Sequence, residues 1–311
     1  MTTGYAHPDY AASLAEFGQP RLLPRSGGWL LEREIPDSSA RDAMGCYPLF
    51  ACQDWTALAA DLADLGASLV SVVLVADPFG NHDAPLLDRT FNRGAVPFKE
   101  HQVVDLRQPL ETTVSSHHRR NVRKALRVVT AERVAEPLAS LDEWVGLYGT
   151  LIRRHEIDGL SAFSRASFAR QLVTPGMVAY RAVHQGETVG MLLFYVQGDV
   201  AYYHLGAYSE VGYEVGAAFA VFWTALHDLA KTVQFVSLGG DAGVTGEVGG
   251  LGRFKRGWAT GSRQAFLCRH VGDPDRYVEL SRGRGETSFF PAYRAANTAA
   301  APPPREGPAG P

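Results

Sequence analysis

Residues 177–209, MVAYRAVHQGETVGMLLFYVQGDVAYYHLGAYS, constrain the fold more than any other stretch. Three apolar runs (177–183, 188–197 and 200–209) are separated only by HQGE and GD. Connections that short join antiparallel neighbours, so the chain must contain a three-stranded meander. The next run, 211–231, places Val215, Phe219, Phe222, Trp223, Leu226 and Leu229 at helical spacing, and 233–240 is a continuous apolar stretch, which predicts a buried strand. Upstream, 141–155 predicts a helix with Leu141, Trp144, Val145, Tyr148, Leu151, Ile152 and His155 on one face. A second helix spans 164–173 with Ser164 as its cap, and 263–271 is a last strand. Helices interleaved with such strands give an α/β (α+β) fold, a mixed sheet with packed helices.

The first third reads as the same class. Strands are expected at 28–35, 46–52, within 67–80 and at 101–106. A helix is expected at 54–66, capped by Asp54, buried through Leu58, Leu62 and Leu65, and ended by Gly66. Residues 111–129 predict one amphipathic helix. Val122, Leu126 and Val129 form its stripe; Arg119, Arg123 and Arg127 recur at four-residue spacing, with Arg120 and Lys124 beside them. A change of character near 110 divides the chain into two α/β halves, 1–110 and 111–275, joined by the basic helix. An extension, 276–311, ends in NTAAAPPPREGPAGP, a composition expected to be disordered.

Net charge narrows the function classes. A formal charge of −3 over 311 residues excludes a surface built throughout for nucleic acid or membrane, so any anion site must be local. Cys46, Cys52 and Cys268 have no paired CxxC spacing, which argues against a disulfide framework or a metal site and for buried thiols in a reducing compartment. The N-terminus lacks a signal-peptide pattern, and no apolar run reaches the length of a membrane span. A cytoplasmic location is expected.

Against that acidic background GGLGRFKRGW (249–258) gathers glycine and positive charge after a buried strand. As a glycine-rich loop it is either a solvated basic turn or an anion site built on Arg253, Lys255 and Arg256. Asp241 follows the 233–240 strand directly, a common place for site residues in α/β proteins, and could accept a proton or cap a turn. On the 200–209 strand strict alternation puts Tyr202, His204, Gly206 and Tyr208 on one face. His204 is a candidate base or a structural histidine. Arg119 and Arg123 offer cations to a phosphorylated ligand.

Three stretches carry a family resemblance: 103–127 (VVDLRQPLETTVSSHHRRNVRKALR), 213–240 (YEVGAAFAVFWTALHDLAKTVQFVSLGG) and 250–258 (GLGRFKRGW). Together they resemble the GNAT acyltransferase superfamily, in its FemAB-related branch, where two GNAT-like halves lie in tandem. The resemblance implies an N-acyltransferase that passes an acyl group from acyl-CoA, acetyl-CoA first among them, to an amine of a small metabolite, sugar or cell-envelope precursor, without a metal. Aminoacyl-tRNA is the alternative donor, with tRNA then a partner, and a non-catalytic binding protein on a degenerate scaffold is a third reading. By the same resemblance Lys255 stabilises the oxyanion above Phe254, and Arg253 and Arg256 hold phosphate. The segment from Tyr208 through Gly212 and Gly216 occupies the place of the CoA pyrophosphate turn. It lacks that turn's usual glycine spacing and carries Glu210 and Glu214.

Overall fold

The computed structural model describes residues 2–156, 159–241, 249–284 and 289–295. Eleven strands form one sheet in the order β1-β2-β3-β4-β11-β5-β10-β9-β8-β7-β6. They are β1 (Gln19–Leu23), β2 (Gly28–Glu34), β3 (Arg41–Gly45), β4 (Ser71–Val75), β5 (Ala95–Asp105), β6 (Thr130–Val134), β7 (Met177–His184), β8 (Glu187–Gln197), β9 (Val200–Tyr208), β10 (Phe235–Gly239) and β11 (Gly261–Val271). The helices are α1 (Pro8–Ser13), α2 (Leu58–Leu65), α3 (Ala84–Thr90), α4 (Leu110–Thr113), α5 (Ser116–Ala125), α6 (Leu141–His155), α7 (Arg165–Gln171), α8 (Glu210–Glu214), α9 (Ala217–Leu229), α10 (Gly250–Trp258) and α11 (Pro274–Ser281). The mixed α/β class expected from the sequence is the class observed.

The sheet is antiparallel except at two pairs, β3 with β4 and β9 with β10. Each parallel pair is joined by a helical crossover, α2 in the first and α8–α9 in the second. Both crossovers thus have the same strand–helix–strand form. β11 does not stay with the strands that precede it: it inserts between β4 and β5, antiparallel to both. In turn β5 pairs with β10, so the central strands stitch the halves into one sheet. Tyr202 on β9 adds a side-chain stitch, donating its hydroxyl to the buried Asp77 carboxylate 2.7 Å away.

Hydrophobic cores lie on both faces. One contains α5, α9 and Trp258 against the C-terminal strands; a second sets Tyr5, Tyr10, Trp144, Tyr148 and Phe168 against the opposite side; a third closes α2 onto β2–β4. The segment around Tyr293 is fastened back to β3. Asp42, with no exposed surface, accepts hydrogen bonds from Tyr293 Oη at 3.0 Å, Arg33 Nε at 3.2 Å and Arg294 Nη2 at 2.9 Å.

Several local expectations change. Residues 46–52 are a loop with a cis Tyr47–Pro48 bond, meeting β4 only through a Phe50–Ala76 bridge. The strand beside β4 is β3, whose polar Arg41 and Asp42 hide it from an apolar-run search. The 111–129 helix is two helices: Ser115 Oγ accepts from His118 N and restarts the chain as α5. The 211–231 helix breaks at Gly216, whose φ of +71° is left-handed and suits glycine. The glycine-rich 249–258 stretch is the helix α10 rather than a loop. Two of its glycines, Gly252 and Gly257, serve close packing. A Cβ at Gly257 would lie 2.0 Å from His118 Cε1, so Gly257→Ala forces the α5–α10 seam apart. We expect it to cost about 1–3 kcal/mol, read as a lower urea midpoint. The expectation for the chain's last residues lies outside the described residues.

Candidate active site

The parallel pair β9–β10 holds register only from Phe235–Val200 to Ser237–Tyr202. Beyond it β10 stays with β5 alone, Gly239 opposite Gln102, while β9 runs on to Tyr208. Carboxyl ends of diverging strands are where α/β sheets place their ligands. Here the chain turns through Gly239, at φ +74°, into Gly240 and Asp241.

Lys255 reaches this turn from α10. It is 6% exposed, and its ammonium donates to the Gly240 carbonyl at 2.5 Å. Lys99 on β5 donates to the Asp241 carbonyl at 3.0 Å. His101, two residues along the same strand and so on the same face, is 7% exposed. Gly240 lets the chain lie against β5, since a Cβ there would sit 2.9 Å from Lys99 Cβ. Two lysines and a histidine thus gather around the Gly240–Asp241 turn, and Arg256 approaches the Asp241 carboxylate at 3.8 Å.

The electrostatics follow from that crowding. Burial pushes the Lys255 ammonium down to about 8, with Lys99 adding to the fall and Asp241 opposing it. Burial also lowers Lys99, again opposed by Asp241. His101 is pushed down to about 4 by burial and then by the two lysines, so its ring is neutral at pH 7. Two buried polar atoms in the cluster have no hydrogen-bond partner among the described residues: His101 Nδ1 and Asp241 Oδ1. Buried polar atoms usually find partners, so such orphans mark places where a ligand can bond. The cluster can therefore present positive charge to an oxyanion and two unsatisfied polar atoms to a substrate.

Lys255 and Asp241, both singled out in the sequence, come together. Phe254 lies next to them but serves the core, ringed by Phe219, Phe222 and Trp258, while its carbonyl pairs with His118 Nε2 at 2.9 Å. Arg253 and Arg256 are exposed on α10.

His204 is elsewhere. A bulge on β9 at His204, left unpaired between Tyr203 opposite Phe194 and Leu205 opposite Leu193, breaks the expected alternation. His204 sits in the tyrosine-rich core, its Nδ1 3.2 Å from Tyr5 Oη and its Nε2 3.0 Å from Gln171 Oε1. Burial holds it near 3, so it is a structural neutral histidine rather than a base. After the bulge Tyr208 faces the other core, where its ring packs against Tyr213 and covers Gly190. That corrects its assignment to a ligand-facing position. Gly212 is likewise a packing residue: its N–H is taken by Ser209 Oγ, and a Cβ would lie 2.0 Å from the Val189 carbonyl.

Gly216 keeps a possible phosphate role. It opens α9, a helix with no side-chain cap, and a Cβ there would meet nothing closer than 3.6 Å. Glu210 is held by Arg154 at 2.9 Å. Arg119 and Arg123 lie on α5, where Arg119 Nη1 bonds the Glu111 carbonyl and Arg123 Nε the Arg119 carbonyl. Neither bonds the Lys255 cluster among the described residues.

Sequence reasoning missed Lys99 and His101. The strand was started at His101, which left Lys99 outside it; the lysine–x–histidine alternation in KEH was the available signal. Among the described residues no group of three or more His, Cys, Asp or Glu could hold a metal ion, and no helix is long and apolar enough to cross a membrane.

Comparison with known proteins adds to this geometry. The acetyltransferase (GNAT) domain family matches residues 116–256, a range that spans α5 to α10. No curated protein matches the chain. Among solved structures FemX has a TM-score of 0.64 at 12% identity, covering 88% of this chain and 96% of its own. The C-terminal domain assigned as a lysylphosphatidylglycerol synthetase from Agrobacterium fabrum has a TM-score of 0.61 at 15% identity, covering 86% of this chain and 88% of its own. L-PGS from Bacillus licheniformis has a TM-score of 0.57 at 14% identity, covering 88% and 94%. Residues 116–256 thus match a GNAT-type acetyltransferase domain, within a chain whose fold is similar to that of FemX.

Proposed function

We propose that the protein is an N-acyltransferase whose reaction takes place at the Lys255 cluster, with an acyl-CoA as donor and an amine of a small metabolite, sugar or cell-envelope precursor as acceptor. The observation that carries this reading is a buried ammonium held at a strand end, within the GNAT-type domain, with no carboxylate bonded to it among the described residues. In the reaction the neutral amine attacks the thioester carbonyl. The C–N bond forms, the C–S bond breaks, and CoA leaves as a thiolate that takes up a proton. Lys255 meets the negative charge that grows on the carbonyl oxygen, an interaction worth most in a site shielded from water. His101 Nδ1 and Asp241 Oδ1 orient the amine, and Asp241 takes its proton. Gly216 at the start of α9 receives the donor's phosphates. A cytoplasmic location suits a CoA donor.

An aminoacyl donor is the second reading. It is favoured by the similarity of almost the whole chain to FemX and to a domain assigned as a lysylphosphatidylglycerol synthetase. A thermal-shift panel separates the two. Acyl-CoA binding to the native state raises the melting temperature, by about 2.7 kcal/mol of stabilisation at a hundredfold excess over Kd. A shift given by aminoacyl-tRNA alone, and lost steeply with added salt, selects the second reading. No shift with either donor leaves neither standing.

A further inference from the structure

The cations of α5 are the largest concentration of charge that the proposed reaction leaves unused. From Thr112 to Ala131 the chain has five lysines and arginines (Arg119, Arg120, Arg123, Lys124 and Arg127) and not one carboxylate, although the protein's net charge is −3. Arginines elsewhere hold carboxylates: Arg21, Arg33, Arg107, Arg154, Arg181 and Arg294 all do. Among the described residues none of these five, four on α5 and Arg127 just after it, forms an ion pair. Like charges one helical turn apart destabilise a helix, so this spacing carries a cost.

The direction of the side chains is set by packing. His118, Val122 and Ala125 are buried and turn inward, His118 against Phe219 and Trp258. Arg120, Arg123, Lys124 and Arg127 therefore point outward, where with Ser116 and His117 they line an open depression of about 620 Å³. All its walls come from one helix and the residues just after it, so it cannot enclose a small molecule. Beside the cations two apolar side chains stand in solvent, Leu126 at 43% and Val128 at 52% exposure. Cations on an open surface, flanked by exposed aliphatic groups, match an anionic lipid surface: phosphates meet the cations and the aliphatic groups enter the acyl boundary. A nucleic acid would use the charge but not Leu126 and Val128.

We infer that the outward face of α5 docks the protein peripherally on membranes rich in anionic phospholipid. This does not rest on the acyl-transfer reading. The test is co-sedimentation of the full chain with vesicles of phosphatidylcholine alone and of phosphatidylcholine with a quarter phosphatidylglycerol, at 0.1 M salt. Binding is expected only to the second. Each cation near such a surface contributes roughly fivefold, so R120E/K124E/R127E should weaken partitioning by at least about 100-fold. L126S/V128S, which leaves the charge alone, should weaken it about tenfold. All five positions are exposed, and circular dichroism verifies that the variants stay folded. Three results would overturn the inference: no binding to the anionic vesicles, equal binding to both vesicle types, or full binding by L126S/V128S together with displacement by a nonspecific RNA duplex, which would make the face a nucleic-acid site.

Discussion

Replacing Lys255 with methionine is expected to remove most of the activity while leaving the fold as stable as before. Methionine fills the lysine's volume but cannot meet an oxyanion. Loss of one oxyanion donor typically lowers turnover by about 10²–10³-fold, and the loss should fall on kcat, with donor affinity in the thermal-shift assay nearly unchanged. Stability should move the other way. A free lysine titrates near 10.4, whereas the buried Lys255 is pushed down to about 8. Between those values the unfolded chain binds more protons than the folded one, so wild-type stability rises with pH across this window. Below pH 8 the buried charge is a burden. Lys255→Met should therefore melt at or above the wild-type temperature at pH 7, and that advantage should shrink towards pH 10. Wild-type activity should fall above pH 8 as the ammonium is lost. A variant that melts well below wild type would make Lys255 a structural residue.

The largest effect on stability is expected at Asp42, far from the proposed chemistry. Its carboxylate, with no exposed surface, is the shared partner of Arg33, Arg294 and Tyr293. Asp42→Ala strands two largely buried guanidinium groups. Removing one member of a buried charge network costs about 3–5 kcal/mol, a fall that urea unfolding resolves easily. Because Tyr293 and Arg294 are the residues released, the segment 289–295 should also become an early site of proteolysis. Asp42→Asn, which keeps the shape and one acceptor oxygen, should lose less.

Periodicity worked where a segment has one clean pattern. The helix at 141–155 and the strands of the meander stand as expected, because the helix buries one face and the strands are apolar runs closed by two short turns. It failed where a single residue resets the pattern. Ser115 splits one expected helix, Gly216 another, and the β9 bulge at His204 turns Tyr208 to the opposite core. It also failed for β3 and β1, whose polar residues pair across the sheet instead of alternating with apolar ones.

The candidate site divides along the same line. Lys255 and Asp241 could be read because each stands beside a landmark, the Phe-Lys pair and the end of a buried strand. Lys99 and His101 could not, because they reach the cluster only through the pairing of β5 with β10, a contact between residues more than 130 positions apart. His204 drew attention through chemistry alone, and its burial between Tyr5 and Gln171 settles it as structural.

The central claim is that acyl transfer takes place at Lys255. It is tested most directly by a crystal structure of the protein with a non-hydrolysable acyl-CoA thioether or, if only that donor shifts the melting temperature, an aminoacyl-RNA analogue. The account predicts the acyl carbonyl oxygen within about 3 Å of Lys255 Nζ, a normal hydrogen-bond distance, with the lysine turned from the Gly240 carbonyl towards it. A donor seated with its carbonyl against other residues, and Lys255 still bonded to Gly240, would contradict it.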